Sequence, residues 1–203
     1  MLSTINIKEK YDLLSVTYDR KVSVMELLFL KKLRKSLLHH AQGNVLEIGI
    51  GTGRNLRYYQ NSCKITGVDL SSEMLRRAEK KARTQKKNIQ LSLANAEKLP
   101  FKNQEFDTVI DTLCLCTYQD PIKVLQEMKR VCKKNGKILL LEHGTSNRKW
   151  IISLQNKKNK KHLEKFCCHL NRDPIKLVTQ AKLQPEKIKR SFFGIFYSMI
   201  IKP

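Results

Sequence analysis

The segment Glu47-Ile-Gly49-Ile-Gly51-Thr-Gly53 ends one apolar run and opens an amphipathic stretch. Three glycines at alternate positions let a ligand approach the backbone with no Cβ in the way. A tight strand–helix turn with no ligand is the plain alternative. A dinucleotide site needs G-x-G-x-x-G. Counted from Gly49, the third small residue is replaced by Arg54, and counted from Gly51 it is replaced by Leu56. An acid in the turn, Glu47, also repels a pyrophosphate but suits a ligand carrying an ammonium group and a sulfonium. Asp69 ends the next apolar run, where a carboxylate accepts from both hydroxyls of a ribose. The pair describes a cationic, adenosine-bearing ligand without phosphates, namely S-adenosylmethionine (SAM), whose demethylated product is S-adenosylhomocysteine.

Other residues could act on an acceptor. Methyl transfer needs a base only if the nucleophile arrives protonated. His143, at the end of an apolar run, is the candidate base, with a locally bonded, loop-orienting histidine as the alternative. Asp111 and Glu142 are further strand-end acids, and Asp111 is expected to face the charged end of the cofactor. Cys114 and Cys116 alternate along a strand end and are expected on one side as small core residues. Cys167-Cys168-His169 has no second ligand pair at zinc-type spacing, and adjacent cysteines reach one ion poorly, so no metal is expected.

Positioning these groups takes a parallel sheet wrapped by helices, because apolar runs alternate with amphipathic ones. Strands are predicted at 44–49, 64–68, 89–93, 106–113 and 137–142, the last after the turn Asn135-Gly136. Helices are predicted at 53–60, at 71–85 with Ser71 as cap and Met74, Leu75 and Ala78 inward, and at 121–133. Asp173-Pro174 starts another at 174–182, and a hairpin around Gly194 joins 188–193 to 195–201. The whole reads as one α/β domain with a seven-stranded, mostly parallel, Rossmann-like sheet and an antiparallel C-terminal hairpin. Its parts are an N-terminal helical cap (1–40), a SAM-binding core (41–145), a basic lid or insert (146–172) and the closing helix and hairpin (173–203). The lid is expected to cover the acceptor with Trp150, Ile151, Ile152 and Phe166 while its lysines face solvent, a rigid packed helix being the alternative.

Five segments resemble the class I SAM-dependent methyltransferases of the UbiE-like superfamily, over nearly the whole chain. They are Tyr11–Asp19, Val45–Gly53, Gly67–Leu75, Asn95-Ala96-Glu97-Lys-Leu-Pro100-Phe101 and Phe106–Asp111. The resemblance implies cofactor contacts from Tyr18, Glu47, Gly49, Ile50, Gly51 and Gly53, and from Asp69, Leu70 and Met74. It implies further contacts from Asn95, Ala96, Glu97, Asp111 and Thr112. Asn95 stands where the family usually has Asp, and its carbonyl oxygen can replace a carboxylate as acceptor for the adenine amino group. Leu113–Cys116, Leu141–Gly144 and Cys168–Asp173 resemble two narrower groups, membrane-associated thiol methyltransferases and mitochondrial inner-membrane methyltransferase-like proteins. That likeness implies a small-molecule or lipid-like acceptor, a thiol first and a quinone precursor or phospholipid amine next. It also implies a mitochondrial setting, with the cytoplasm as alternative.

Composition bounds the partners. The 203 residues carry 40 Lys and Arg against 18 Asp and Glu, a formal charge of +22, which attracts phosphate-rich surfaces. Basic clusters fall at 71–87, 122–137 and 148–165. Their plain reading is solvated helix faces, and their functional reading is contact with a polyanion or membrane surface. A methyltransferase fold serving as an RNA-binding or assembly factor is the alternative function. No aromatic-interleaved RNA-recognition strand supports sequence-specific reading. Six cysteines without a framework favour free thiols in a reducing, intracellular compartment. No secretory or transit character is read in residues 1–10, and the apolar run 192–201 is too short to span a bilayer.

Overall fold

The computed structural model describes residues 4–203. Two helices, α1 (Thr4–Met25) and α2 (Lys31–Leu38), are joined by a π-helical turn over Glu26–Leu30. There follow β1 (Asn44–Ile48), β2 (Lys64–Asp69), α3 (Ser72–Thr84), β3 (Ile89–Leu93), β4 (Phe106–Thr112) and α4 (Pro121–Val131). The chain ends with β5 (Cys132–His143), α5 (Lys149–Phe166), α6 (Pro174–Gln180), β6 (Gln184–Ser191) and β7 (Phe196–Lys202). The sheet runs β3-β2-β1-β4-β5-β7-β6. β7 is antiparallel to both β5 and β6, while β1 to β5 pair in parallel.

Period-two alternation buries both faces of the central strands. Ile138 and Leu140 of β5 pack with Leu125, Met128 and Val178 from α4 and α6. Leu139 and Leu141 point the other way, into a layer with Leu37 and Leu38 of α2 and Ala82 of α3. The helix starts follow the expected capping chemistry. Ser71 accepts from the Met74 amide, Asp120 from that of Lys123, and Asp173 from those of Ile175 and Lys176. In α3, Met74, Ala78 and Ala82 are buried and Leu75 packs at the edge of the inner layer.

Three expectations are corrected. Residues 53–60 form turns and one short 3-10 turn (Leu56–Tyr58) instead of a helix, because Asn55 and Tyr59 turn inward to reach Glu47. β5 starts at Cys132, opposite Phe106, and the ladder resumes at Lys137 opposite Thr108. Asn135-Gly136 therefore lies in a bulge within the strand, not in a turn before it. The basic stretch 149–166 is one helix, with Trp150 66% exposed against the Phe193 ring, 6.5 Å between centroids. Gln155 pins this helix, donating to the carbonyls of Gly144 and Leu170 and accepting from the Ser146 amide.

Order along the chain places the site. From β1 the connections run outward to β2 and β3, then cross back to β4 on its other side. Open α/β sheets bind ligands in the crevice at such a reversal, outside the carboxyl ends of the strands.

Candidate functional site

A cleft opens at that reversal. Its floor and walls come from Glu47–Thr52, Arg54 and Asn55 at the end of β1 and beyond, Asp69 and Leu70 at the end of β2, Ala94–Glu97 after β3 and Thr112–Cys114 at the end of β4, while Gly53 stands outside the lining. Tyr11 and Tyr18 of α1, Arg34 of α2, and Thr117–Gln119 complete it. Gly49, Gly51 and Gly53 all have positive φ, at +63°, +56° and +76°. A Cβ on Gly49 would collide with the Cys114 sulfur, and one on Gly53 with Leu56. A Cβ on Gly51 would meet nothing closer than the Gly49 carbonyl at 3.9 Å. The chain itself thus leaves the space over Gly51 open.

Asp69 shapes this loop from below. Its Oδ2 accepts from the Gly51 amide at 2.8 Å and its Oδ1 from the Ser71 amide at 2.9 Å. Burial pushes its pKa up, and these amide contacts oppose the shift. Each oxygen retains a lone pair for a ligand hydroxyl. Asn95 lines the cleft, with its Oδ1 accepting from the Glu97 amide at 2.9 Å. Glu97 accepts from the Asp120 amide at 3.0 Å. Ile50, Met74 and Ala96 are buried lining residues.

The deep end is polar and buried. Glu47 is 1% exposed, accepting from Asn55 Nδ2 at 2.8 Å and from the Tyr59 hydroxyl at 2.7 Å. Burial pushes its pKa up to about 7, although Tyr59, Asn55 and Arg34 pull it down. Arg34 donates to Asn55 Oδ1 at 2.8 Å and to Thr112 Oγ1 at 3.0 Å, and pairs with Glu26 at 3.1 Å. A cation and a near-neutral carboxyl therefore meet where the cleft ends. The sequence reading missed Arg34, Asn55 and Tyr59. The signal for Arg34 was its place on the apolar stripe of Leu30, Leu37 and Leu38.

Other expected residues sit elsewhere. Asp111 is fully buried behind the cleft wall, opposed to the equally buried Glu142. Among the described residues no donor reaches either Asp111 oxygen. Burial pushes both pKa values up; Asp111 raises Glu142 further, while a hydrogen bond with Glu142 opposes the rise at Asp111, and one proton shared between the carboxyls supplies the missing donor. Asp111 thus does not face the cleft, contrary to expectation. His143 does not reach the cleft wall either: its Nε2 lies 3.2 Å from Cys168 Sγ. Nor do Cys114 and Cys116 share a side. Leu113 takes a left-handed conformation (φ +64°) that ends the strand. Cys114 lines the cleft, while Cys116 is buried beside Cys168 and His143. The Cys168 thiol is pulled down chiefly by its hydrogen bond with Cys116, and the Cys116 thiol is pushed up by the same contact.

Two clamps hold α1 over the cleft. Asp19 accepts from Thr52 Oγ1 at 2.7 Å and from Lys81 Nζ at 2.8 Å, with Arg54 at 3.2 Å. Asp12 accepts from the Ser71 hydroxyl and the Glu73 amide. On the far rim, Arg172 donates to the carbonyls of Leu115 and Tyr118. Among the described residues no helix is long and apolar enough to cross a membrane.

A family profile described as a methyltransferase domain matches residues 46–140. The chain is 30% identical over 205 aligned residues to the mitochondrial methyltransferase OMS1 of Saccharomyces cerevisiae, covering 91% of this chain and 44% of that protein. It is 37% identical to a phosphatidylethanolamine N-methyltransferase of Cereibacter sphaeroides, covering 50% of this chain and 51% of the relative. It is 30% identical to a thiol S-methyltransferase of Rattus norvegicus, covering 71% and 62%. The chain thus spans roughly half the length of these relatives. A solved SAM-dependent methyltransferase from Thermotoga maritima superposes with a TM-score of 0.73 at 21% identity, over 96% of this chain and 99% of that one.

Proposed function

Through residues 46–140 the chain belongs to the methyltransferase-domain family, and on that premise we propose that it is a SAM-dependent methyltransferase acting on a small-molecule or lipid-like acceptor. The observation that carries this reading is the open space over Gly51, bounded by Asp69 on one side and by the Arg34–Asn55–Glu47 network on the other. These residues fit SAM in kind. Asp69 is a hydroxyl acceptor for the ribose, Arg34 a partner for the carboxylate, and Glu47 a partner for the ammonium. Ile50, Leu70, Met74 and Ala96 supply apolar surface for the adenine. When bound, SAM supplies a methyl group on a sulfonium, already activated for displacement.

The chain's own contribution is positioning and exclusion of water. Tyr11 and Tyr18 close the cleft from α1, and their pKa values are pushed up by burial, so both hydroxyls stay protonated at neutral pH. The acidic groups of the cleft are engaged: Glu47 by two donors, Asp69 by two amides, and Glu97 by one. An acceptor that ionises readily asks least of such a site. That favours a thiol, whose ordinary pKa of about 8.5 leaves a fraction ionised without help. A quinone precursor or a phospholipid amine follows, the latter in keeping with the name of the Cereibacter sphaeroides relative. His143, turned towards Cys168, is left out as a base. A mitochondrial setting is proposed on the likeness to OMS1.

Calorimetry tests the cofactor: S-adenosylhomocysteine should bind the folded protein and NAD should not, and the reverse result would revive the dinucleotide reading. A screen with isotopically labelled methyl donor over alkyl and aryl thiols, demethylated quinols and phosphatidylethanolamine vesicles tests the acceptor. Turnover confined to RNA or protein would overturn the small-acceptor reading.

A further inference from the structure

Three sulfur and nitrogen side chains from three segments converge beside the cleft. Cys116 lies in the loop after β4, His143 at the end of β5, and Cys168 two residues past α5. Their ligand atoms all lie within 4.8 Å of one another, and Cys168 Sγ is 3.2 Å from His143 Nε2. Both cysteines are buried and the imidazole is half-buried. Cys167 has a left-handed conformation (φ +53°) that reverses the chain at the end of α5, so Cys168 and not Cys167 joins the cluster. His162, in the last turns of α5, packs its ring against Phe166 and stands outside this cluster of ligand atoms.

We propose that Cys116, His143 and Cys168 bind a thiophilic divalent ion, zinc first, with water in the fourth position. Two thiolates and an imidazole form a soft donor set, unsuited to magnesium or calcium, which take oxygen ligands. Tetrahedral zinc with bonds of about 2.3 Å to sulfur and about 2.0–2.1 Å to nitrogen sets its ligand atoms roughly 3.5–3.8 Å apart. The observed separations, 3.2 Å for one pair and no more than 4.8 Å for the others, bracket that spacing. The backbones that carry the ligands are fixed independently. The His169 amide donates to the Cys116 carbonyl at 2.9 Å, the Cys167 amide to Leu163 at 2.8 Å and the Gly144 amide to Ile195 at 2.9 Å. A filled site would tie three segments of the chain to one ion. It would fasten α5 and the loop after it to the rim beside the cleft.

The test is a titration of the reduced, metal-stripped full chain with Co(II), then Zn(II). One equivalent of Co(II) should give the intense visible bands of a tetrahedral site and a sulfur-to-cobalt charge-transfer band, both erased by stoichiometric Zn(II). Cys116→Ser and Cys168→Ser should each weaken binding at least about tenfold and cut the charge-transfer band by about half. Cys63→Ser, buried elsewhere against the Ala41 carbonyl, should change neither. If the serine variants fail to fold, His143→Asn in the otherwise intact chain should weaken binding at least about tenfold and shift the visible bands while keeping the charge-transfer band. Zn(II) should also protect two thiols of the unmodified protein from alkylation. A weak, pale octahedral Co(II) spectrum, full tetrahedral binding in a folded Cys168→Ser variant, or a Cys116–Cys168 disulfide in protein purified without reductant would each overturn the proposal.

Discussion

Replacing Glu47 with Gln isolates the cost of a buried carboxyl at the deep end of the cleft. The side chain is 1% exposed and its pKa stands at about 7 against an ordinary 4.5. A raised carboxyl means that the folded state keeps a proton that the unfolded chain releases. Stability from this group therefore falls as pH rises from about 4.5 to about 7 and is flat beyond. Between pH 5.5 and pH 8 the loss integrates to about 2 kcal/mol. The amide introduced by Glu47→Gln would keep both contacts, its oxygen accepting from Asn55 and its nitrogen donating to the Tyr59 oxygen, without titrating. Urea denaturation of the two proteins at pH 5.5 and pH 8 should show the stability gap widening in favour of Glu47→Gln by about 2 kcal/mol. Other buried carboxyls, Asp111 and Glu142 among them, titrate alike in both proteins and cancel. A gap that stays constant or narrows would mean that Arg34 already holds Glu47 ionised, and the reasoning would fail.

Arg34→Ala leaves Glu26 with only Arg54 at 3.5 Å, Thr112 Oγ1 with only Asn55 Nδ2, and Asn55 Oδ1 without its donor, so unfolding free energy should drop by about 3 kcal/mol, with Arg34→Lys recovering only part. Asp69→Ala should weaken S-adenosylhomocysteine binding by about 2 kcal/mol in calorimetry, near thirtyfold, while lowering stability through the freed Gly51 and Ser71 amides. Trp150→Ala should cost under about 1 kcal/mol and leave S-adenosylhomocysteine affinity unchanged, since the ring lies in solvent against Phe193. A large affinity loss there would return Trp150 to the cleft.

Local chemistry was legible and long-range convergence was not. Strand β3 was read at its observed limits, and the starts of α4 and α6 were marked by an acid before a proline. The glycine turn and Asp69 were found because each has its own short-range signature at a strand end. The failures share a cause. Asp111 was placed by its position at the end of β4, but alternation puts it on the face it shares with Val109, where it meets Glu142 of the neighbouring strand. His143 and Cys168 lie on β5 and after α5, and Cys116 after β4, so no spacing pattern could join them. Asn135-Gly136 has the composition of a turn, yet pairing of Cys132 with Phe106 absorbs it as a bulge.

Helix α1 roofs the cleft, yet Leu13 and Val16 on it are 78% and 69% exposed. What holds it over Gly51 and Asp69 is largely polar: Asp12 on Ser71 and Glu73, and Asp19 on Thr52, Lys81 and Arg54. Such contacts weaken with added salt far more than apolar packing does. Opening the roof is then a local unfolding step with its own free energy, separate from the stability of the sheet. Ionic strength becomes a throttle on residence time: raising it should quicken both entry and escape of a bound nucleoside, with little change in how tightly the floor grips it.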